Sequence, residues 1–221
     1  MERVHVLVEG QSEETFVGRT LQPHLRGHGV HITPILVATR RVVAGPDHKG
    51  GLTSWAKAKR DLLRLLGDSG AVAITTLVDY YGLPADVPGL LNLPASGSAL
   101  DLVAHVEHEM AADIGNDRFR PYLALHEFEA LLYTDPQECG DYLQCSELTR
   151  AMARALADCG EPEMVNDSPQ TAPSKRIFAA FSEYRKTSDG PLLAARIGLV
   201  KIRAACPHFN GWLTWLESLG T

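Results

Sequence analysis

Val4-His5-Val6-Leu7-Val8-Glu9-Gly10-Gln11-Ser12-Glu13 is the stretch that decides the fold. A mostly apolar run ends in an acid and a glycine, and a helical pattern starts at once, so a strand gives way to a helix with a carboxylate planted at the junction. Open α/β sheets gather their ligands at that place, outside the carboxyl ends of the strands. Two later runs repeat the arrangement. Ala71-Val72-Ala73-Ile74-Thr75-Thr76-Leu77-Val78 ends in Asp79-Tyr80-Tyr81-Gly82, and Tyr122-Leu123-Ala124-Leu125 ends in His126-Glu127-Phe128-Glu129. Three buried strands each bring a carboxylate to one edge.

Working outward, the spacing predicts strands over residues 3–9, 30–37, 71–79 and 121–126, alternating with helices over 12–28, 53–67 and 99–113. That order defines an α/β fold, a mostly parallel sheet with helices on both faces. Phe16, Val17, Leu21 and Leu25 form an apolar stripe on the first helix, Ser12 is placed to cap it, and Glu13 and Glu14 lie where the helix dipole favours anions. Gly67 stops the second. After residue 127 the strand pattern fades, and helices are expected near 127–133, 146–158, 174–186, 191–205 and 207–219. The expected division is a sheet domain over 1–135 and a helical portion over 136–221, either packed on it or continuous with it.

At 221 residues, 45% hydrophobic and 22% charged, the chain can bury one α/β core. No apolar stretch reaches the roughly 18 residues of a membrane span, and the first residues lack a signal-peptide profile, so a cytoplasmic protein without membrane contact is expected. The four cysteines form no CxxC pair, which points to reduced thiols rather than a zinc cage. The net charge of −6 is unevenly spread: Arg40 to Arg60 carries +5, Pro173 to the end +4, and Asp135 to Gln170 −6. Such asymmetry permits a polyanion track, for which Arg40, Lys49, Arg176, Lys201 and Arg203 are the nucleic-acid-binding candidates. Solvated helix faces produce the same counts.

Parallel strands converge their carboxyl ends on one rim, so Glu9 and Asp79 meet if their strands are neighbours, and Glu13, a helical turn later, swings back to the same point. Crowded carboxylates repel unless a cation sits among them. Oxygen ligands select Mg²⁺ or Mn²⁺ over zinc, and such ions commonly work on phosphate esters. A metal-dependent phosphodiester cleavage is the expectation. Lys175 and Arg176 fall where a segment could fold over the rim, and a fixed cation there, Lys175 in particular, would stabilise charge on a phosphoryl group. Lys49-Gly50-Gly51 offers a phosphate cradle without the full GxxxxGK[ST] of an ATP-binding loop, so ATP would be handled by another chain. His24 with His28, and His105 with His108, have metal-binding spacing on segments that otherwise read as solvated faces.

The glutamate motif at Glu9-Gly10 with Ser12 and Glu13, and the strand ending at Asp79, resemble the TOPRIM fold of topoisomerases, primases and overcoming-lysogenization-defect (OLD) nucleases. Val8-Glu9-Gly10-Gln11-Ser12-Glu13, Val78-Asp79-Tyr80-Tyr81-Gly82-Leu83-Pro84, Leu125-His126-Glu127-Phe128-Glu129-Ala130-Leu131, Ser174-Lys175-Arg176-Ile177 and Cys206-Pro207-His208-Phe209 together resemble the TOPRIM-related domain-of-unknown-function family 4276 over nearly the whole chain. The resemblance implies an acid/base or metal-coordinating role for Glu9, a metal role for Asp79 and Glu13, an ATPase partner of AAA or ABC type, and phage defence. TOPRIM enzymes usually carry Asp-x-Asp, whereas Tyr81 stands at the second acid's position here. Glu127 or Glu129 would then complete the metal set, or the site holds a single ion, or none. Two rival readings remain: a catalytically silent module that binds nucleic acid or regulates an ATPase, and a small-molecule phosphatase, which lacks its DxDx[TV]-like motif here. A homodimer is compatible with all three.

Overall fold

The computed structural model describes residues 1–37, 52–166 and 171–220. Strand β1 (Glu2–Val8) leads through Glu9 and Gly10 into α1 (Gln11–Phe16), a wider π turn (Val17–Leu21) and α2 (Gln22–Arg26), which together form one continuous wound segment. Then come β2 (Val30–Leu36), α3 (Trp55–Leu66), β3 (Ala71–Asp79), α4 (Ala99–Ile114) and two short strands, β4 (Phe119–Arg120) and β5 (Leu123–Ala124). A 3₁₀ helix (Phe128–Thr134) opens the helical part, followed by α5 (Pro136–Tyr142), α6 (Ser146–Cys159), α7 (Pro173–Ala180), α8 (Lys186–Ile197), α9 (Leu199–Ala205) and α10 (Pro207–Ser218).

Every strand pairing is parallel, in the order β2-β1-β3-β4, with β5 also on β3. Chain direction therefore turns outward on either side of the β1/β3 seam, the switch point at which such sheets bind ligands. Pro34 sits within β2, which is tolerable because β2 is an edge strand. Helices cover both faces. On one, Val4, Val6 and Val8 of β1 meet Phe16, Leu21 and Leu25 and the late residues Phe209, Trp212 and Leu216. On the other, Leu7 and Ile74 pack under Trp55 and Leu62 of α3 and Val106 and Met110 of α4. The alternation of β1 side chains between two cores follows from the two-residue period of a strand.

Several expectations need correction. Gly10, not Ser12, is the N-cap of α1, and the Ser12 hydroxyl instead donates to the Lys186 carbonyl oxygen at 3.2 Å. The strand expected over 121–126 shrinks to β5, with β4 just ahead of it, because Pro121 between them offers no N–H and the Tyr122 amide donates to the Thr76 hydroxyl at 2.9 Å rather than to a ladder. The helix expected over 174–186 stops at Ala180. The one expected over 191–205 begins at Lys186 and breaks at Gly198, whose φ of 83° is left-handed. Helix α5 was not expected, though Asp135-Pro136 supplies both its cap, accepting from the Glu138 N–H at 3.0 Å, and its first residue.

One buried acid serves the fold itself. The Glu163 carboxylate accepts from the backbone N–H groups of His208 and Phe209, both at 3.0 Å, and so caps α10 from a distant loop. Glu163→Ala is expected to cost about 2 kcal/mol, since two N–H groups at a buried helix start lose their acceptor. Urea unfolding measures it, and an unchanged midpoint would remove the capping role.

Candidate active site at the sheet switch point

Three strand ends supply the acids. Glu9 follows β1, Asp79 ends β3, and the chain after β5 brings Glu127 and Glu129, while Glu13 returns from the first turn of α1. They are knitted together through backbone amides. The Asp79 N–H donates to Glu9 Oε2 at 3.1 Å, the Phe128 N–H to Asp79 Oδ1 at 3.0 Å, and the Ser174 N–H to Glu127 Oε2 at 2.9 Å. Glu129 is fully buried, and Glu13 and Asp79 are 3% and 8% exposed, so desolvation of these acids is severe. Glu13 also folds back on the N–H groups of Gly10 and of its own residue, half of a capping box. The helix-start role and the rim role coexist in that one side chain.

The cation among these acids is Lys186, at the start of α8. Its Nζ lies 2.9 Å from Glu129 Oε2 and 3.8 Å from Asp79 Oδ2. Tyr184 donates its hydroxyl to Glu129 Oε1 at 3.5 Å. The Lys186 ammonium is the partner of Glu129 Oε2, and the Tyr184 hydroxyl that of Oε1. Among the described residues one lysine, Lys186, stands against these five carboxylates.

The electrostatics follow from that crowding. Burial pushes the Glu9 carboxyl up to about 7; the Asp79 N–H and Lys186 pull against the rise, and Glu13 and Glu127 add to it. Glu129 is likewise raised to about 7 by burial, against the pull of Lys186. Asp79 stands well above the ordinary carboxylate range, first from burial and then from Glu9, Glu13 and Glu129, while Glu13 is raised mainly by burial. Burial alone would lower the Lys186 ammonium, yet Glu129, Asp79 and Glu127 outweigh it and hold the amine above its usual range.

The donor set suits a divalent ion. All candidate ligand atoms are carboxylate oxygens, and among the described residues their charge exceeds that of Lys186. Among the described residues, no three of these carboxylates bring oxygens within 4.8 Å of one another. The arrangement therefore fits the Mg²⁺ habit of keeping several waters and using one or two carboxylates, rather than an all-protein cage. Glu9 and Asp79, joined through one amide, are two carboxylates that could hold such an ion.

Of the other candidates, Lys175 is exposed on α7, directly after the Ser174 whose N–H donates to Glu127, and Lys186 is the lysine paired with Glu129 and Asp79. Arg176 donates to the Thr171 carbonyl oxygen at 2.7 Å and lines a cavity of about 600 Å³ with Arg150 and Arg154. Lys201 pairs with Asp135 at 2.5 Å, and Arg203 with Glu217. Arg40 and Lys49, with the Lys49-Gly50-Gly51 cradle, fall outside the described residues. His126 Nδ1 faces the Asn166 amide at 3.2 Å. Lys186 escaped the sequence reading because Pro191 looked like a helix start. The polar Thr187-Ser188-Asp189 before it, where Asp189 accepts from the Arg185 N–H at 2.8 Å, was the usable signal.

A parallel α/β protein with an acid-rich rim at the seam of its two central strands is the class these features define. The chain belongs to the family described as a domain of unknown function, DUF4276, whose model matches residues 8–217. No curated protein matches it. Among solved structures, the C-terminal region of the Burkholderia pseudomallei OLD protein is similar at 16% identity, covering 100% of both chains with a TM-score of 0.46. The C-terminal region of the Xanthomonas campestris pv. campestris OLD protein, in a crystal phased with platinum, is similar at 15% identity, covering 100% of this chain and 98% of that one with a TM-score of 0.42.

Proposed function

We propose that the chain is a Mg²⁺- or Mn²⁺-dependent nuclease, with Glu9 and Asp79 as the main ion ligands, Glu129, Glu127 and Glu13 as supporting acids, and Lys186 as the fixed cation. The observation that carries this reading is the convergence of five carboxylates on one lysine at the β1/β3 seam. A bound ion of this kind would polarise a phosphoryl oxygen and lower the pKa of a water. Lys186, drawn toward Glu129 and Asp79, carries a charge that can turn to an incoming phosphodiester as the acids are neutralised.

The cavity with Arg150, Arg154 and Arg176 supports a track for the sugar–phosphate chain, since α7 walls it and also carries the Ser174 amide that holds Glu127. Phage defence in the cytoplasm, with a partner ATPase of AAA or ABC type, belongs to the same proposal. It rests on the sequence resemblance.

A second reading, a silent module that binds nucleic acid or regulates an ATPase, is favoured by the distances. Lys186 already neutralises part of the cluster, and among the described residues no three of its oxygens approach within 4.8 Å of one another. Incubating the protein with plasmid, single-stranded DNA and RNA, in Mn²⁺, in Mg²⁺ and in chelator, separates the two. Cutting confined to the metal arms is the expected result; binding without cutting in any arm would replace the nuclease with the module.

A further inference from the structure

We propose a second metal site, for zinc or a similar transition ion, formed by His24, His28 and Glu217 at the edge of the sheet opposite the acidic rim. Gly29, next to His28, accepts the backbone N–H of Glu2 at the amino end of β1, which places the cluster away from Glu9 and Asp79. His24 lies on α2, and the chain stays wound beyond it: the Gly27 N–H donates to the His24 carbonyl oxygen and the His28 N–H to that of Leu25, both at 3.0 Å. The two imidazoles consequently share a face, with ring centroids 4.9 Å apart. Glu217, in the last turn of α10, comes from the other end of the chain.

A close backbone approach fixes the meeting. A Cβ on Gly220 would lie 1.9 Å from the His28 carbonyl oxygen, so only glycine lets the end of α10 reach this turn. His24 Nε2 then stands 2.6 Å and His28 Nε2 3.8 Å from Glu217 Oε1, and all three ligand atoms lie within 4.8 Å of one another. Bonds of about 2.0–2.1 Å to a tetrahedral zinc put neighbouring ligand atoms about 3.3 Å apart. The two observed distances straddle that value, so small side-chain rotations make the shell. Arg203 grips both carboxylate oxygens of Glu217, Nη1 on Oε1 and Nη2 on Oε2 at 3.0 Å, and orients the carboxylate as outer partners of metal ligands do, so an ion would share Oε1 with Nη1. The histidine side chains are 29% and 43% exposed, which gives the ion an entry and leaves its fourth position to water. Two nitrogens and one oxygen favour zinc, cobalt or nickel over Mg²⁺, so the two sites select different ions.

Calorimetric titration of the full chain with Zn²⁺, in saturating Mg²⁺, tests the site. The expected result is one equivalent bound, with a rise in melting temperature as α2 and α10 are tied together. Co²⁺ should give the visible absorption of a tetrahedral complex. His28→Ala and Glu217→Gln should each weaken uptake by about tenfold or more, whereas the Glu9→Gln/Asp79→Asn double variant should keep it. No saturable uptake, or uptake that survives His28→Ala but is lost in the double variant, would overturn the proposal.

Discussion

Glu9→Gln and Asp79→Asn are each expected to lower metal-dependent cleavage by a factor on the order of a thousand, with the fold intact. Both substitutions keep shape and hydrogen bonding. In Asp79→Asn the side-chain amide oxygen can still accept from the Phe128 N–H, and in Glu9→Gln the corresponding oxygen can still accept from the Asp79 N–H, so the seam between β1 and β3 stays closed. What disappears is charge at the pair placed to hold the ion. The same change relieves repulsion in a buried cluster whose acids already resist ionisation, so both variants should be as stable as the parent in chelator, or more so. Cleavage rates in Mn²⁺ and melting in chelator check the two halves. Undiminished cutting would detach the rim from the chemistry, whereas a collapse in stability would mean that the acids are structural.

Lys186→Met should have the opposite effect on stability, a loss of about 2–3 kcal/mol at pH 8 in chelator. Removing one partner of a buried ion pair typically costs 3–5 kcal/mol; the lysine side chain is 34% exposed, so solvent screening reduces the figure. Its sign with pH is fixed by the acids left behind. Glu9 and Glu129 titrate near 7 in the folded chain against an ordinary 4.5, so the native state binds more protons than the unfolded one between those values. Their contribution is complete below about 4.5 and is lost as the pH rises through about 7. The unmodified protein should thus weaken over that window without metal, and Mn²⁺ should flatten the decline. In Lys186→Met the same acids lose their attractive partner, which extends the loss to higher pH and shrinks it near pH 5. A penalty independent of pH would assign Lys186 a packing role only.

The rim was legible in the sequence because an acid closing an apolar strand is costly unless it has work to do. β1, β2, β3, α3 and α4 lie within a few residues of their expected spans, and the two-faced parallel sheet follows from their order. The cation was not legible. Lys175 sits beside Arg176 in a conspicuous motif, whereas Lys186 stands in a polar stretch whose helix starts five residues before the proline that usually marks a beginning. Segment boundaries failed for local reasons: Gly198 turns left-handed in the helical part, and Pro121 removes a ladder donor in the sheet. Amide links such as Phe128 to Asp79 join residues far apart in sequence, and no local pattern announces them.

The order in which the ribosome delivers these parts has its own consequence. Glu9, Asp79, Glu127 and Glu129 all emerge ahead of Lys186, and α10, which covers the valine face of β1 together with α1, emerges later still. During translation the nascent sheet holds its acids without Lys186 and one flank with only part of its cover. A chain truncated before α8 should be a client for chaperones rather than a smaller version of the protein.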